Sequence, residues 1–178
     1  MKDNTALLTK KARDGDARAF GELYSKFSGE MYRYALYSLG SAEAAQDAVQ
    51  DTALEAWKSI NRLRNEEAAK AWFFKILNHC CKHSLREKYS SDLASLDFCE
   101  EIAAKDSGES ILLGLDLLRL INKLTQEEKD IVLLSAVCGC NSKEIAKITA
   151  LPAATVRSKL SRSLKKLRSE LEKGGNEI

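Results

Sequence analysis

Apolar residues recur along this chain at intervals of three and four, and nowhere alternate with polar ones over a stretch long enough to make a strand. The pattern predicts a succession of helices and therefore an all-α chain. Leu7 to Ala12 opens one helix, which Gly15-Asp16 interrupts, with Asp16 placed to cap the next. That helix carries Ala19, Phe20, Leu23, Tyr24 and Phe27. Gly29 loosens it, while Met31, Tyr34, Ala35 and Leu39 keep the period. These aromatics read as core. Gly40-Ser41 ends the element and Ser41 caps a third, with Ala48, Val49, Thr52, Ala53, Ala56 and Trp57 on its apolar side and Asp47, Gln50, Asp51 and Glu55 on its polar side.

A charged connector, Asn61 to Ala69, leads to a helix over Trp72 to Arg86. Trp72, Phe73, Ile76, Leu77 and Leu85 are expected inward; Lys75, Lys82, Arg86 and Lys88 are expected outward, alongside Asn78, His79 and His83. Tyr89 to Glu109 is polar, acidic and weakly periodic, and reads as a linker. Ile111 to Leu124 resumes a leucine-rich helix. Thr125 with Glu128 three residues on is a capping box that starts another, whose Ile131, Leu134 and Val137 face inward. A short helix over Ser142 to Thr149, started by Ser142 with Glu144 nearby, buries Ile145, Ala146 and Ile148. Ala150-Leu151-Pro152 breaks it, because proline cannot continue a helix but suits the start of a new one. The last helix aligns Val156, Leu160, Leu164, Leu167 and Leu171 on one face, and the chain after Gly174 reads as a frayed end.

Charge changes this picture more than composition does. The 178 residues are 44 % hydrophobic and 30 % charged, as in ordinary soluble protein, with a formal net charge of only +2. That near-neutral total conceals blocks. Lys58 to Lys88 holds eight basic and three acidic residues, net +5; Asp92 to Glu109 holds six acidic and one basic, net −5; Lys143 to Arg168 holds eight basic and one acidic, net +7. Two basic modules joined by an acidic tether are the expectation. No apolar run is long enough to span a membrane, and Met1-Lys2-Asp3-Asn4 leads into a polar helix, unlike a signal peptide. Five cysteines, at 80, 81, 99, 138 and 140, are an odd number without framework spacing, which favours free thiols in a cytoplasmic setting.

The +7 block is a short helix, a tight turn and a basic helix, which is helix-turn-helix spacing. It presents Arg157, Lys159, Arg162, Lys165, Lys166 and Arg168 with serines between them. Arginine forks pair with guanine edges and lysines neutralise phosphates, so DNA binding outweighs a merely solvated basic face. The Trp72 to Arg86 helix sets aromatic and amide groups in a basic surround; that suits contact with unstacked bases, and equally an ordinary amphipathic helix with a core of aromatics. The Asp47, Gln50, Asp51 side is either solvated or a docking face for a basic partner. His79 and His83 are four apart, but no third ligand of suitable spacing accompanies them, and Cys138-Gly139-Cys140 is too short a motif to read. There is no Ser-His-Asp set and no glycine-rich phosphate loop, so no catalytic residue, metal or cofactor is expected.

Taken in order, Gly15-Asp16, Ala19-Phe20, Leu23-Tyr24, Ala45-Gln46-Asp47-Ala48-Val49-Gln50-Asp51, Trp72, Ile76, Glu144-Ile145-Ala146, Thr155-Val156-Arg157-Ser158 and Arg162 resemble a bacterial sigma factor of the extracytoplasmic function class, from about Leu7 to Leu171. The resemblance implies two small helical domains and no region 3. Sigma region 2 would occupy residues 1–88, a flexible acidic linker 89–109, and sigma region 4 with its helix-turn-helix 110–178. It implies core RNA polymerase, through its clamp helices, and promoter DNA as partners, allows an anti-sigma factor as a third, and implies no enzymatic activity and no membrane insertion. Asp47, Gln50 and Asp51 match the clamp-binding helix. Trp72, Lys75, Asn78, His79, Lys82 and Arg86 lie on the helix that melts and reads the −10 element. Thr155, Arg157, Ser158, Lys159, Ser161, Arg162 and Lys165 fall where the family contacts the −35 element.

Some positions depart from the family pattern. His79 stands where a −10-contacting asparagine is usual, and Asn78 lies one residue early, about 100° around the helix. Either His79 substitutes, or the local register shifts. His83 replaces an aspartate, Ala53 a larger apolar residue, Thr125 a proline and Ala150 a turn glycine. The rival reading is a helix-turn-helix regulator with a helical sensing or dimerising domain, from which core polymerase binding separates a sigma factor.

Overall fold

The computed structural model describes residues 4–90 and 119–174; the expected acidic linker beyond residue 90 and most of the 111–124 helix lie outside them. Among the described residues the secondary structure is helical throughout. The N-terminal unit comprises α1 (Thr5–Arg13), α2 (Ala17–Leu39), α3 (Ala42–Ser59) and α4 (Ala69–Ser90), with short 3-10 turns at Ile60–Arg62 and Glu66–Ala68 between the last two. The C-terminal unit comprises α5 (Gln126–Ala136), α6 (Ser142–Thr149) and α7 (Ala153–Gly174).

The starts and stops follow from side-chain chemistry. Asp16 accepts from the amides of Arg18 and Ala19 at 2.9 and 3.0 Å, and so begins α2. Gly40, at φ +64°, ends it in the left-handed conformation that glycine adopts without strain. Gly29 does not interrupt α2, because the aromatic stripe on either side of it stays packed. Ser41 caps α3 and Asn65 caps the second 3-10 turn. The charged connector is thus folded, and Arg13 pins it by pairing with Glu66 at 3.1 Å and bonding the Leu63 carbonyl. α4 is longer at both ends than the Trp72 to Arg86 expectation, running without a break to Ser90.

The N-terminal core is built around Phe73, fully buried, with the rings of Phe20, Tyr24, Phe27 and Trp72 at centroid distances between 5.2 and 6.5 Å. Phe74, which the periodicity did not place, is buried too, and meets Tyr34 edge-on. The core continues without a gap into Ile131, Leu133, Leu134, Ile145, Ile148 and Val156. The two units therefore pack directly on one another, α4 against α6 and α2 against α5.

Other expectations fail. Asn78 is 4 % exposed instead of facing outward. α6 is capped by Asn141, one residue before Ser142, because its carboxamide accepts from two amides while Glu144 reaches back to the Asn141 amide at 2.7 Å. Leu164 and Leu171, expected in the apolar stripe of α7, are 48 % and 58 % exposed; the packed stripe runs instead through Val156, Leu160, Ser163 and Leu167, and each of the two leucines stands one residue, about 100°, beyond it or its continuation at Glu170.

Candidate polymerase and promoter interfaces

α3 buries Ala45, Ala48, Val49, Thr52 and Ala56 against its neighbours, so the opposite side faces solvent. Asp47, Gln50 and Asp51 lie there together at spacings of three and four. The same face continues into Leu54, which is 59 % exposed, and Trp57, which is 41 % exposed and rests edge-on against Phe20 at 5.0 Å. A large exposed leucine and tryptophan beside a patch of acids is the composition of a protein-docking surface, apolar centre with polar surround. Trp57, expected on the apolar side of α3, is thus exposed, and Leu54 joins the polar side. The signal was present: Leu54 stands seven residues after Asp47 and four after Gln50, on the polar side.

α4 separates its polar residues by face. Lys75, His79 and Arg86 are exposed, Lys82 is half-buried, and successive spacings of four, three and four align the set. Trp72 is half-buried at the N-terminal end of the same helix, and with Lys75, Ile76 and His79 it lines a groove whose other wall is Glu55 and Ser59 of α3. Asn78 turns inward and donates to the Tyr34 hydroxyl at 2.7 Å. Because α4 is unbroken there, no register shift brings Asn78 to the exposed stripe; His79 occupies it. His83 pairs with Glu87 on its own helix at 3.3 Å. Burial pushes the Cys81 thiol well up, and that of Cys80 up less, so both thiols stay protonated at neutral pH.

The helix-turn-helix is assembled from α6, a left-handed residue and α7. Ala150 takes φ +61° where glycine would be unstrained, holding α6 and α7 at a tight corner. Ile145, Ile148 and Val156 close that corner from inside. On the outer face of α7, Arg157, Ser158, Ser161, Arg162 and Lys165 are exposed and Thr155 is half-buried. Arg162 Nε donates to the Ser158 carbonyl at 3.3 Å, and the Ser158 hydroxyl to that of Thr155 at 3.0 Å, so both polar groups are oriented along the helix. Lys159 differs from its neighbours. Its ammonium reaches across to Glu127 of α5 at 2.5 Å. Further along, Lys166 donates to the Lys123 carbonyl, Lys123 pairs with Glu170, and Arg168 pairs with Glu172.

The Sigma-70 region 2 profile matches residues 23–90 and the Sigma-70 region 4 profile matches 114–167. RNA polymerase sigma factor SigV of Bacillus subtilis is 31 % identical over 144 residues, spanning 81 % of this chain and 86 % of its own length. The chain belongs to the sigma-70 family, in its extracytoplasmic function class. The ECF RNA polymerase sigma-E factor of Haemophilus influenzae is similar at 25 % identity over 182 residues, covering 93 % of this chain and 94 % of that protein. Among solved structures, CnrH in complex with the cytosolic domain of CnrY superposes with a TM-score of 0.74 at 22 % identity, over 96 % of this chain and 98 % of that one. The sigma factor RpoE of Bartonella quintana, in complex with the anti-sigma factor NepR, gives 0.76 at 21 % identity, over 88 % and 98 %. These two likenesses establish the fold.

In this sigma factor α3 and α4 fall within the region 2 match, and α5, α6 and most of α7 within the region 4 match. The region 2 match over residues 23–90 supports the sigma factor and not the rival regulator. Among the described residues no helix is long and apolar enough to cross a membrane.

Proposed function

We propose that this sigma factor docks on core RNA polymerase through the exposed face of α3, reads and helps to melt the −10 element with α4, and reads the −35 element with α7. The observation that carries the reading is that one chain presents an acidic, leucine-centred face on one helix and cationic stripes on two others, each on the helix that the family assigns to polymerase, −10 and −35 in turn. Asp47, Gln50 and Asp51 supply polar contacts to the clamp helices, and Leu54 and Trp57 the apolar contact area.

On α4, Lys75, Lys82 and Arg86 hold phosphates, while Trp72 and His79 offer ring faces to unstacked non-template bases. Melting is then driven by the binding energy of captured bases, with no chemistry by the sigma factor itself; polymerase performs nucleotide addition. His79 stands in for the usual asparagine, since Asn78 faces inward. On α7, Arg157, Ser158, Ser161 and Arg162 face base edges in the major groove, and Lys165 a phosphate. Thr155 and Lys159 sit at the margin of that surface.

The setting is the cytoplasm, where polymerase works. An anti-sigma factor is a further partner by analogy with the CnrY and NepR complexes of the structural relatives. Footprinting of the holoenzyme tests the reading: protection of two promoter elements that needs this protein supports it, and protection of the upstream element by the free protein alone favours a simple DNA-binding regulator.

A further inference from the structure

The last helix carries more positive charge than it can offer to DNA. Six cations stand on α7 between Arg157 and Arg168. Arg157, Arg162 and Lys165 are exposed, whereas Lys159 is half-buried on the flank that faces the start of α5, about 60° around the helix from Arg162. Its ammonium meets the Glu127 carboxylate at 2.5 Å, with the two side chains 31 % and 44 % exposed. Glu128 lies close by. Its carboxylate is held below the ordinary range first by the Thr125 amide, and the charges of Lys166 and Lys159 lower it further. Both acids belong to the first turn of α5, where the positive end of a helix favours a carboxylate. Glu128 is committed to the capping box, accepting from the Thr125 amide at 2.9 Å and from its hydroxyl at 3.1 Å. Glu127 pairs instead with Lys159.

An ion pair this exposed adds little to the fold. Its weight falls on DNA binding. A phosphate lying along this flank of α7 would compete with Glu127 for the same ammonium, and taking it would leave the carboxylate unpaired beside a line of negative charge. The gain from one phosphate contact is thereby largely cancelled. We propose that Glu127 is an electrostatic brake on −35 binding, a positioning residue that holds Lys159 off the phosphate backbone and limits how tightly, and how salt-sensitively, region 4 grips the promoter. The brake rests on the assignment of α7 to the −35 element. Because phosphates carry no sequence information, it acts on affinity and leaves base discrimination to Arg157, Ser158, Ser161 and Arg162.

The test is competition binding of the reconstituted holoenzyme to a promoter fragment that it transcribes, across four salt concentrations, with Glu127→Gln, Lys159→Ala and the double variant, each checked by thermal melting. Releasing Lys159 to one phosphate should make the slope of log K against log salt ~0.9 steeper for Glu127→Gln. Taken from a ~1 M reference, that slope gives about fourfold tighter binding at ~0.2 M salt, equal on the preferred −35 element and on its single-base variants. Lys159→Ala should cost about fourfold more in the Glu127→Gln background than in the wild-type one. An unchanged or shallower slope in folded Glu127→Gln protein overturns the brake. So does a gain that survives intact in the double variant, since it would come from deleting a negative charge and not from freeing Lys159. Lys165→Ala is run alongside. If it makes the slope shallower while Glu127→Gln does nothing, the assignment of α7 stands and the brake alone fails. If it too changes nothing, α7 does not meet the promoter and the brake falls with it.

Discussion

Arg162 and Lys165 sit three residues apart on the same exposed side of α7, and the proposed reading gives them different work. Of the basic residues on this helix, Lys159 is tied to Glu127, Lys166 to a carbonyl and Arg168 to Glu172. Arg157, Arg162 and Lys165 remain exposed, with no acidic side chain among the described residues meeting them. Lys165, the one of the three assigned to a phosphate, would contribute about −0.9 to the slope of log K against log salt. Lys165→Ala should therefore make the slope for holoenzyme on a −35-containing promoter about 0.9 shallower, and weaken binding equally on every −35 sequence. Arg162→Ala should cost ~1–3 kcal/mol on the preferred sequence, roughly 5- to 150-fold, and flatten discrimination at one base pair. Neither change should move the melting temperature much, because Arg162 makes only an exposed bond within its own helix. Competition binding at four salt concentrations, on the preferred site and on single-base variants, measures both. Unchanged affinity for both variants at every salt concentration, with holoenzyme intact, would refute the assignment of α7.

Three further outcomes follow from other parts of the molecule. Asp47→Ala with Gln50→Ala, and separately Leu54→Ala, should each weaken core polymerase binding in a fluorescence titration while leaving thermal stability within about 0.5 kcal/mol, since all three side chains are exposed; unaltered core affinity removes that face from the interface. Phe73→Ala should lose ~3–5 kcal/mol in denaturant melts, because four rings pack on it, and a loss under 1 kcal/mol would show that the bundle is organised elsewhere. Thr125→Ala should remove ~1 kcal/mol, a fall of about 2–4 °C in melting temperature. The Glu128 carboxylate is held below its ordinary pKa first by the Thr125 amide and then by the Thr125 hydroxyl, so its stabilising effect is complete above that ordinary value and fades as pH falls through the lowered one. Glu128→Gln should flatten that acid limb; an unchanged limb would mean that other carboxylates set it.

How far the sequence reaches depends on the length scale of the interaction. Helix starts with local causes were legible: Asp16, Ser41 and Thr125 each satisfy amides within three residues, and each was read from its neighbours. The start of α6 was missed by one residue because Asn141 and Ser142 are both competent caps, and only the reach of Glu144 decides between them. The exposed face of α3 was half legible. Its acids announced themselves, whereas Leu54 required trusting position over residue type. Asn78, Lys82 and Asp130 were illegible, because polar residues on a basic helix read as solvated unless something covers them. What covers them comes from far along the chain, Tyr34 lying 44 residues from Asn78 and 96 from Asp130, and no periodicity carries that information. Leu164 and Leu171 were misplaced for a related reason: the face of α7 that is covered runs through Ser163, a residue that an apolar pattern does not count.

The central claim is that this chain confers promoter choice on polymerase. Run-off transcription with purified core polymerase on fragmented genomic DNA of the source bacterium, with and without the protein, addresses it directly. The account predicts discrete start sites that require the protein and share two upstream elements. An absence of such starts, together with no binding to core polymerase, would contradict it.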